Sequence, residues 1–242
     1  MLATLPLPIY FLIGGLISIF LPKGVIKSSF VCLVPVIALL VLLNGGWDNG
    51  FKVQFLDLEL NFMRVDKLST VFGIIFCIAG FLGNLFAFHL RESTQPFVAL
   101  IYSGAAIGAV FAGDLVTLFV YWELTAISSV FLIWARKTEG AYHSGMRYLI
   151  IQVLSGVVLL FGVALFYFEK GSISFSKMEL DSFATALIFV AFGIKCAFPF
   201  LHNWLQDSYP SATITGTVIL SCLLYTSPSP RDRTRSRMPS SA

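Results

Sequence analysis

Residues 68–90 read LSTVFGIIFCIAGFLGNLFAFHL, 23 consecutive positions without a lysine, arginine, aspartate or glutamate. A hydrocarbon layer about 30 Å thick is crossed by roughly 20 apolar residues in a helix, which pairs its own backbone groups where no water can. A run of this length fixes the solvent before it fixes the fold. Similar runs occupy residues 5–20, 30–43, 97–111, 115–134, 146–168 and 183–200, and another begins near Ser211. With 57% hydrophobic and 12% charged residues, the chain is too apolar to cover itself with a wetted surface. The expected fold is an all-α polytopic membrane protein of about seven full transmembrane helices and a truncated eighth. The first run lacks a basic flank and continues as one apolar stretch, so it is expected to be a span and not a cleaved signal.

Between the second and third runs the helical period disappears. From Lys52 to Leu60 the alternation KVQFLDLEL has the period of a strand and follows a DNG turn signal at Asp48 to Gly50. A small β-hairpin outside the bilayer is expected within residues 44–67. The loop EKGSISFSKMELD before the seventh run is read as a short interfacial amphipathic helix. Lys23, Lys27, Arg91, Arg136, Lys137 and Arg147 fall on one side of the membrane, and Lys52, Arg64, Lys67, Lys170 and Lys177 on the other. This bias places the amino terminus and hairpin on the outer, periplasmic side of a cell inner membrane. Cys32, Cys77, Cys196 and Cys222 have no CxxC or Cys/His spacing and read as buried thiols. There is no P-loop, GxGxxG, HExxH or metal-ligand cluster, so no cofactor, metal or nucleic-acid partner is expected.

Two ionisable residues stand deep inside the runs. Glu123, in GDLVTLFVYWELTAISSVFLIW, is too short to reach an interface, and a charge at that depth costs roughly 2.5 kcal/mol or more on insertion scales. Its neighbours on the same helix face, Phe119, Val120, Ala126, Ile127 and Val130, are apolar, so a partner has to come from another helix. Lys195, in AFGIKCAFPFLHNW, is the natural counterpart. Pro199 removes the N–H that would bond the Lys195 carbonyl and crowds that carbonyl with its ring. The helix should break there, as the discontinuous helices of transporters do at mid-membrane. Desolvation disfavours each charge and proximity favours both, so a movable pair lets one proton event alter the next. Tyr148, Gln152 and Ser155 form a polar stripe able to hold water, and His202 after the break is a further candidate relay.

The segments VYWELT around Glu123 and FGIKCAFPFLHNWLQDSYPSATITGTVILS around Lys195 resemble the antiporter-like, proton-pumping subunits shared by respiratory complex I and Mrp-type Na⁺/H⁺ antiporters. The resemblance covers about residues 68–221 and is closest to the D-type component of such antiporters. It implies fourteen helices with two inverted five-helix repeats, the first spanning helices four to eight. It also implies proton transport through Glu123 as the fifth-helix glutamate and Lys195 as the broken seventh-helix lysine, in company with other membrane subunits and with H⁺ and Na⁺ as candidate ions. Residues 1–95 would then hold helices one to three and the hairpin, and 96–221 the first repeat. The family's eighth-helix lysine and second repeat have no counterpart here. An inert structural membrane fragment is the alternative from a different class.

The residues from Cys222, CLLYTSPSPRDRTRSRMPSSA, contain four arginines and one aspartate; without them the chain has twelve basic and twelve acidic residues. This peptide resembles a translated sequencing adapter. On that resemblance residues 222–242 are expected to be non-native and extended, with the eighth helix stopping near Tyr225; a basic tail on anionic lipid is the other reading.

Overall fold

The computed structural model describes residues 5–45, 51–55, 58–90, 94–175 and 178–224. Within them the order is α1 (Leu7–Phe20), α2 (Val25–Leu43), β1 (Phe51–Phe55), β2 (Leu58–Met63), α3 (Lys67–Phe86), a 3₁₀ turn (Ala87–His89), α4 (Thr94–Phe111), α5 (Leu115–Trp134), α6 (Glu139–Lys170), α7 (Phe183–Lys195), α8 (Asn203–Ser208) and α9 (Ile214–Leu224). The protein is a multi-pass helical membrane protein. Helices α2, α3 with its 3₁₀ turn, α4, α5 and α6 are long and apolar enough to cross a bilayer. Helices α1 and α7 have 14 and 13 residues. At about 1.5 Å per residue they reach roughly 20 Å, short of a full span. The run expected to be helical over 183–200 ends at Lys195.

Short polar residues start the helices. Asp66 caps α3 in a capping box: its carboxylate accepts from the Ser69 N–H at 2.7 Å, and the Ser69 hydroxyl accepts from the Asp66 N–H at 2.8 Å. Ser182 and Thr185 repeat the device on α7. Thr138 caps α6, which ends at Gly171 with φ 67°.

Tertiary contacts sort the connections into two ends. At the first, the Leu7 N–H lies 3.4 Å from Met63 Sδ, the Arg64 N–H donates to the Phe111 carbonyl, and the Gly113 N–H donates to Asn61. Asp114 bridges to Ser174. At the second, the Arg136 guanidinium donates to the Pro210 and Ala212 carbonyls, Arg147 pairs with Asp207 at 3.3 Å, and Ser211 meets Ser144 at 3.1 Å. Between these ends, α4 packs on α1 and α5, and α6 packs on α5 and α7. One apolar core lies among α1 to α4 and takes in the second half of α5, Tyr148, Trp204 and α9; the other lies among the first half of α5, α6 and α7 under β2. Ile13, Leu16, Val71, Ile75, Leu82, Ile150, Leu154 and Val157 point outward, the inverse of a soluble surface and suited to lipid.

Two sequence expectations change. The hairpin is as expected: β1 and β2 pair antiparallel, with Val53 opposite Leu60 and Phe55 opposite Leu58. Their connection, residues 56–57, and the turn signal at Asp48 to Gly50 lie outside the described residues. The loop before α7 holds no helix among the described residues. Glu169 and Lys170 complete α6, and the Leu115 N–H holds the Ile173 carbonyl at 3.0 Å, drawing this backbone out into an extended bridge. Cys32 and Cys77 are buried, but Cys196 and Cys222 are exposed, Cys196 because it sits where α7 turns away. The expectations for residues 225–242 lie outside the described residues.

Candidate functional site

Asp114 anchors the helix that carries Glu123. Its buried carboxylate accepts from the Thr117 N–H and hydroxyl, each at 2.7 Å, and from the Asn61 N–H at 2.6 Å. The start of α5 is thereby fixed to the hairpin. Glu123 follows two and a half turns later. Its Oε1 is buried, has no hydrogen-bond partner, and lies directly against Gly156 of α6. A Cβ at position 156 would overlap that oxygen, so a glycine is what lets the carboxylate enter the α5–α6 seam.

Lys195 is the last residue of α7, and the backbone after it shows how the helix stops. The Phe198 N–H, which in a continuing helix would bond Ile194, reaches back to Gly193 at 2.9 Å instead. The Ile194 carbonyl takes the Ala197 N–H at 3.2 Å and the Trp204 indole N–H at 3.0 Å. Ala197 and Phe200 take φ of 54° and 73°, a left-handed conformation costly for residues with a Cβ. Pro199 lies between them with no N–H to continue the ladder. The chain resumes as α8.

Lys195 Nζ does not form an ion pair with Glu123 among the described residues. It donates to the Trp122 carbonyl at 3.5 Å and sits 5.0 Å from the centre of the Trp122 ring. Trp122 is held in turn: its indole N–H donates to Ser155 Oγ at 3.2 Å, and Phe192 packs edge-on at 5.0 Å. The lysine is thus attached to Trp122, the residue of α5 that directly precedes Glu123.

Below Gly156 the same face of α6 carries Gln152, Tyr148 and Ser144, each one turn from the last. Gln152 is fully buried with neither amide atom hydrogen-bonded, and Ser155 Oγ donates to its backbone carbonyl at 2.7 Å. Tyr148 shares a 2.7 Å hydrogen bond with Ser129 of α5 and packs on Trp204. A buried, unpaired amide costs on the order of 1–3 kcal/mol, and water is the natural partner for a group of this kind. The stripe leads from Glu123 toward Ser144 and Ser211 at the end opposite the hairpin.

Of the residues singled out in the sequence, Glu123, Lys195, Tyr148, Gln152 and Ser155 share the α5–α6–α7 seam, and Pro199 lies in the break. His202 stands apart: it precedes α8 half-buried, and no hydrogen bond joins its ring to Lys195, Gln152 or Tyr148 among the described residues. Trp122, Ser129, Gly156 and Trp204 escape sequence reasoning. Trp122 adjoins Glu123, but an aromatic in an apolar helix carries no signal of its own. No group of three His, Cys, Asp or Glu residues could hold a metal among the described residues.

Residues 112–228 match the family described as NADH:quinone oxidoreductase/Mrp antiporter, transmembrane, a segment containing every residue of this seam. The matched segment, just under half of the chain, is a domain of this family. The match runs past Ser221, after which the adapter-like peptide begins. The chain is 31% identical over 177 residues to the A-type component of a Na⁺/H⁺ antiporter from Alkalihalophilus pseudofirmus, covering 65% of this chain and 22% of that protein. It is 27% identical over 238 residues to the D-type component from the same organism, covering 88% and 48%. A chain of the membrane-bound sulfane sulfur reductase, an archaeal respiratory membrane complex, has the same fold with a TM-score of 0.77 at 22% identity, covering 91% and 50%. The chain therefore spans half or less of the length of each of these proteins.

Proposed function

We propose that this chain is a proton-conducting subunit of a membrane cation/proton antiporter or respiratory complex, moving H⁺ through Glu123 and Lys195. One observation carries the reading: within the segment that matches this family, a glutamate with a buried oxygen and no hydrogen-bond partner for it follows directly on Trp122, whose carbonyl takes the amine of a lysine at a helix break. A carboxylate in that seam is costly when charged and alone, and much less so when Lys195 approaches or a proton arrives. Arrival of a proton on Glu123 frees the lysine, and its departure draws the lysine back. Gln152, Tyr148 and Ser155 supply donors and acceptors for water between this pair and the end of the bundle opposite the hairpin. The freed backbone around Pro199 offers a second polar edge.

The partners are other membrane subunits of the same complex and the lipid bilayer. The Na⁺/H⁺ names of the relatives support H⁺ and Na⁺ as the ions. NADH:quinone chemistry would reside in the whole complex and not in this chain. The membrane is the cell inner membrane, and the amino terminus and hairpin face its outer side, as the lysine and arginine distribution favours. Glu123→Gln in the complete subunit, within its complex in sealed vesicles, is expected to abolish or strongly reduce proton transport while membrane insertion is unchanged. Undiminished transport would remove Glu123 from the mechanism.

A further inference from the structure

The contacts of Lys195 go beyond a two-residue relay. Its amine is directed at Trp122, over the ring and at the carbonyl, while Glu123 Oε1 is left without a hydrogen bond. We propose that Trp122 is a second docking position for the Lys195 ammonium, so that the lysine alternates between the Glu123 carboxylate and the Trp122 face. The proposal rests on the transport reading above and assigns a positioning role to a residue which that reading leaves out.

Three features of Trp122 suit it to this task. The indole is buried, and a cation over a desolvated ring is attracted by the negative face of its quadrupole more strongly than at an exposed site. It is locked in orientation, since Ser155 takes its N–H and Phe192 abuts it edge-on, so the face presented to Lys195 does not have to be organised at each cycle. Phe192 lies on α7 one turn before Lys195, so the helix that carries the lysine also braces the ring that receives it. The backbone carbonyl of Trp122 supplies an acceptor at the same place. Because Trp122 and Glu123 are consecutive, the amine passes from one to the other by rotation of its own side chain, with α5 and α7 held in place.

Docking of this kind solves a kinetic difficulty. A lysine whose sole stable position is a buried ion pair with glutamate releases it slowly, because the departing ammonium would stand unpaired in low dielectric. A cation–π site one residue away gives the charge somewhere to wait while Glu123 takes up its proton. Weakening the ring's face should therefore trap the pair and slow turnover.

Fluorination lowers the ring quadrupole stepwise while preserving shape and the indole N–H, and it separates this role from packing. With mono-, di- and trifluorotryptophan at position 122 of the complete subunit, in its complex in vesicles, proton transport is expected to fall monotonically, about two- to fivefold across the series. Trp122→Leu is expected to fall at least as far and Trp122→Phe, which keeps a smaller aromatic face, to lie between. Folding of each variant is read by thermal unfolding of the purified protein. A transport rate that is flat across the fluorinated series overturns the docking role. Glu123→Gln and Lys195→Ala serve as reference: if they abolish transport while the series is flat, the tryptophan proposal fails by itself, and if they too are silent, the transport reading fails with it.

Discussion

Replacing Gly156 by alanine places a methyl group where the Glu123 carboxylate lies. The added Cβ would overlap Oε1 and stand 2.7 Å from Cδ, so Cδ has to withdraw about 0.7 Å to reach ordinary contact at 3.4 Å, and the oxygen further. The obstacle is the end of a flexible side chain and not backbone, so the fold can absorb it. Alanine in place of a mid-helix glycine gains about 1 kcal/mol, and a glutamate pushed off its rotamer loses about 0.5–1.5 kcal/mol. Net stability should stay within about 1 kcal/mol of the starting protein. Transport should not. Misplacing a reacting group by about 1 Å costs on the order of a hundredfold, so a ten- to hundredfold loss of proton flux is expected. The assay pairs proton flux in vesicles containing the complete subunit with thermal unfolding in detergent. Gly140→Ala, on the same helix with nothing within 4 Å of the added Cβ, is the control and should leave both unchanged. Transport at the original rate in Gly156→Ala would refute the idea that the carboxylate works from the α5–α6 seam.

Asp114→Asn keeps an oxygen for the Thr117 N–H but turns a donor toward the Asn61 N–H, so it should destabilise the hairpin-to-α5 junction by about 1–3 kcal/mol. Faster hydrogen exchange at the Asn61 amide, with α7 unaffected, is the expected signature. The Ser69 N–H holds the Asp66 carboxyl below its usual range, so its stabilising effect is present above about pH 4 and is lost as pH falls through the lower folded value. Unfolding of wild type and Asp66→Asn, compared from about pH 6 downward, should converge below about pH 4, and a constant difference would contradict the capping argument.

Much of the architecture was legible from local pattern. Uninterrupted apolar runs of about 20 residues demand helices in lipid, so the placing of α2 to α6 followed from hydropathy alone, and Pro199 announced the break after Lys195 through its missing N–H. The hairpin showed as a strand period, although where it turns did not, because alternation is the same on both sides of a turn. Glu123 and Lys195 stood out because charge in an apolar helix is costly, a property of each residue and its neighbours in sequence. What those residues touch was decided only by tertiary structure. A run of one helix is silent about which face of another it meets, so nothing near Glu123 in sequence marked Gly156, 33 positions away, as the gap that admits its carboxylate. Nor did it show that the Lys195 amine would settle on Trp122 instead of the glutamate beside it. Those outcomes depend on helix crossing and side-chain reach, which arise when packing brings α5, α6 and α7 together in one seam.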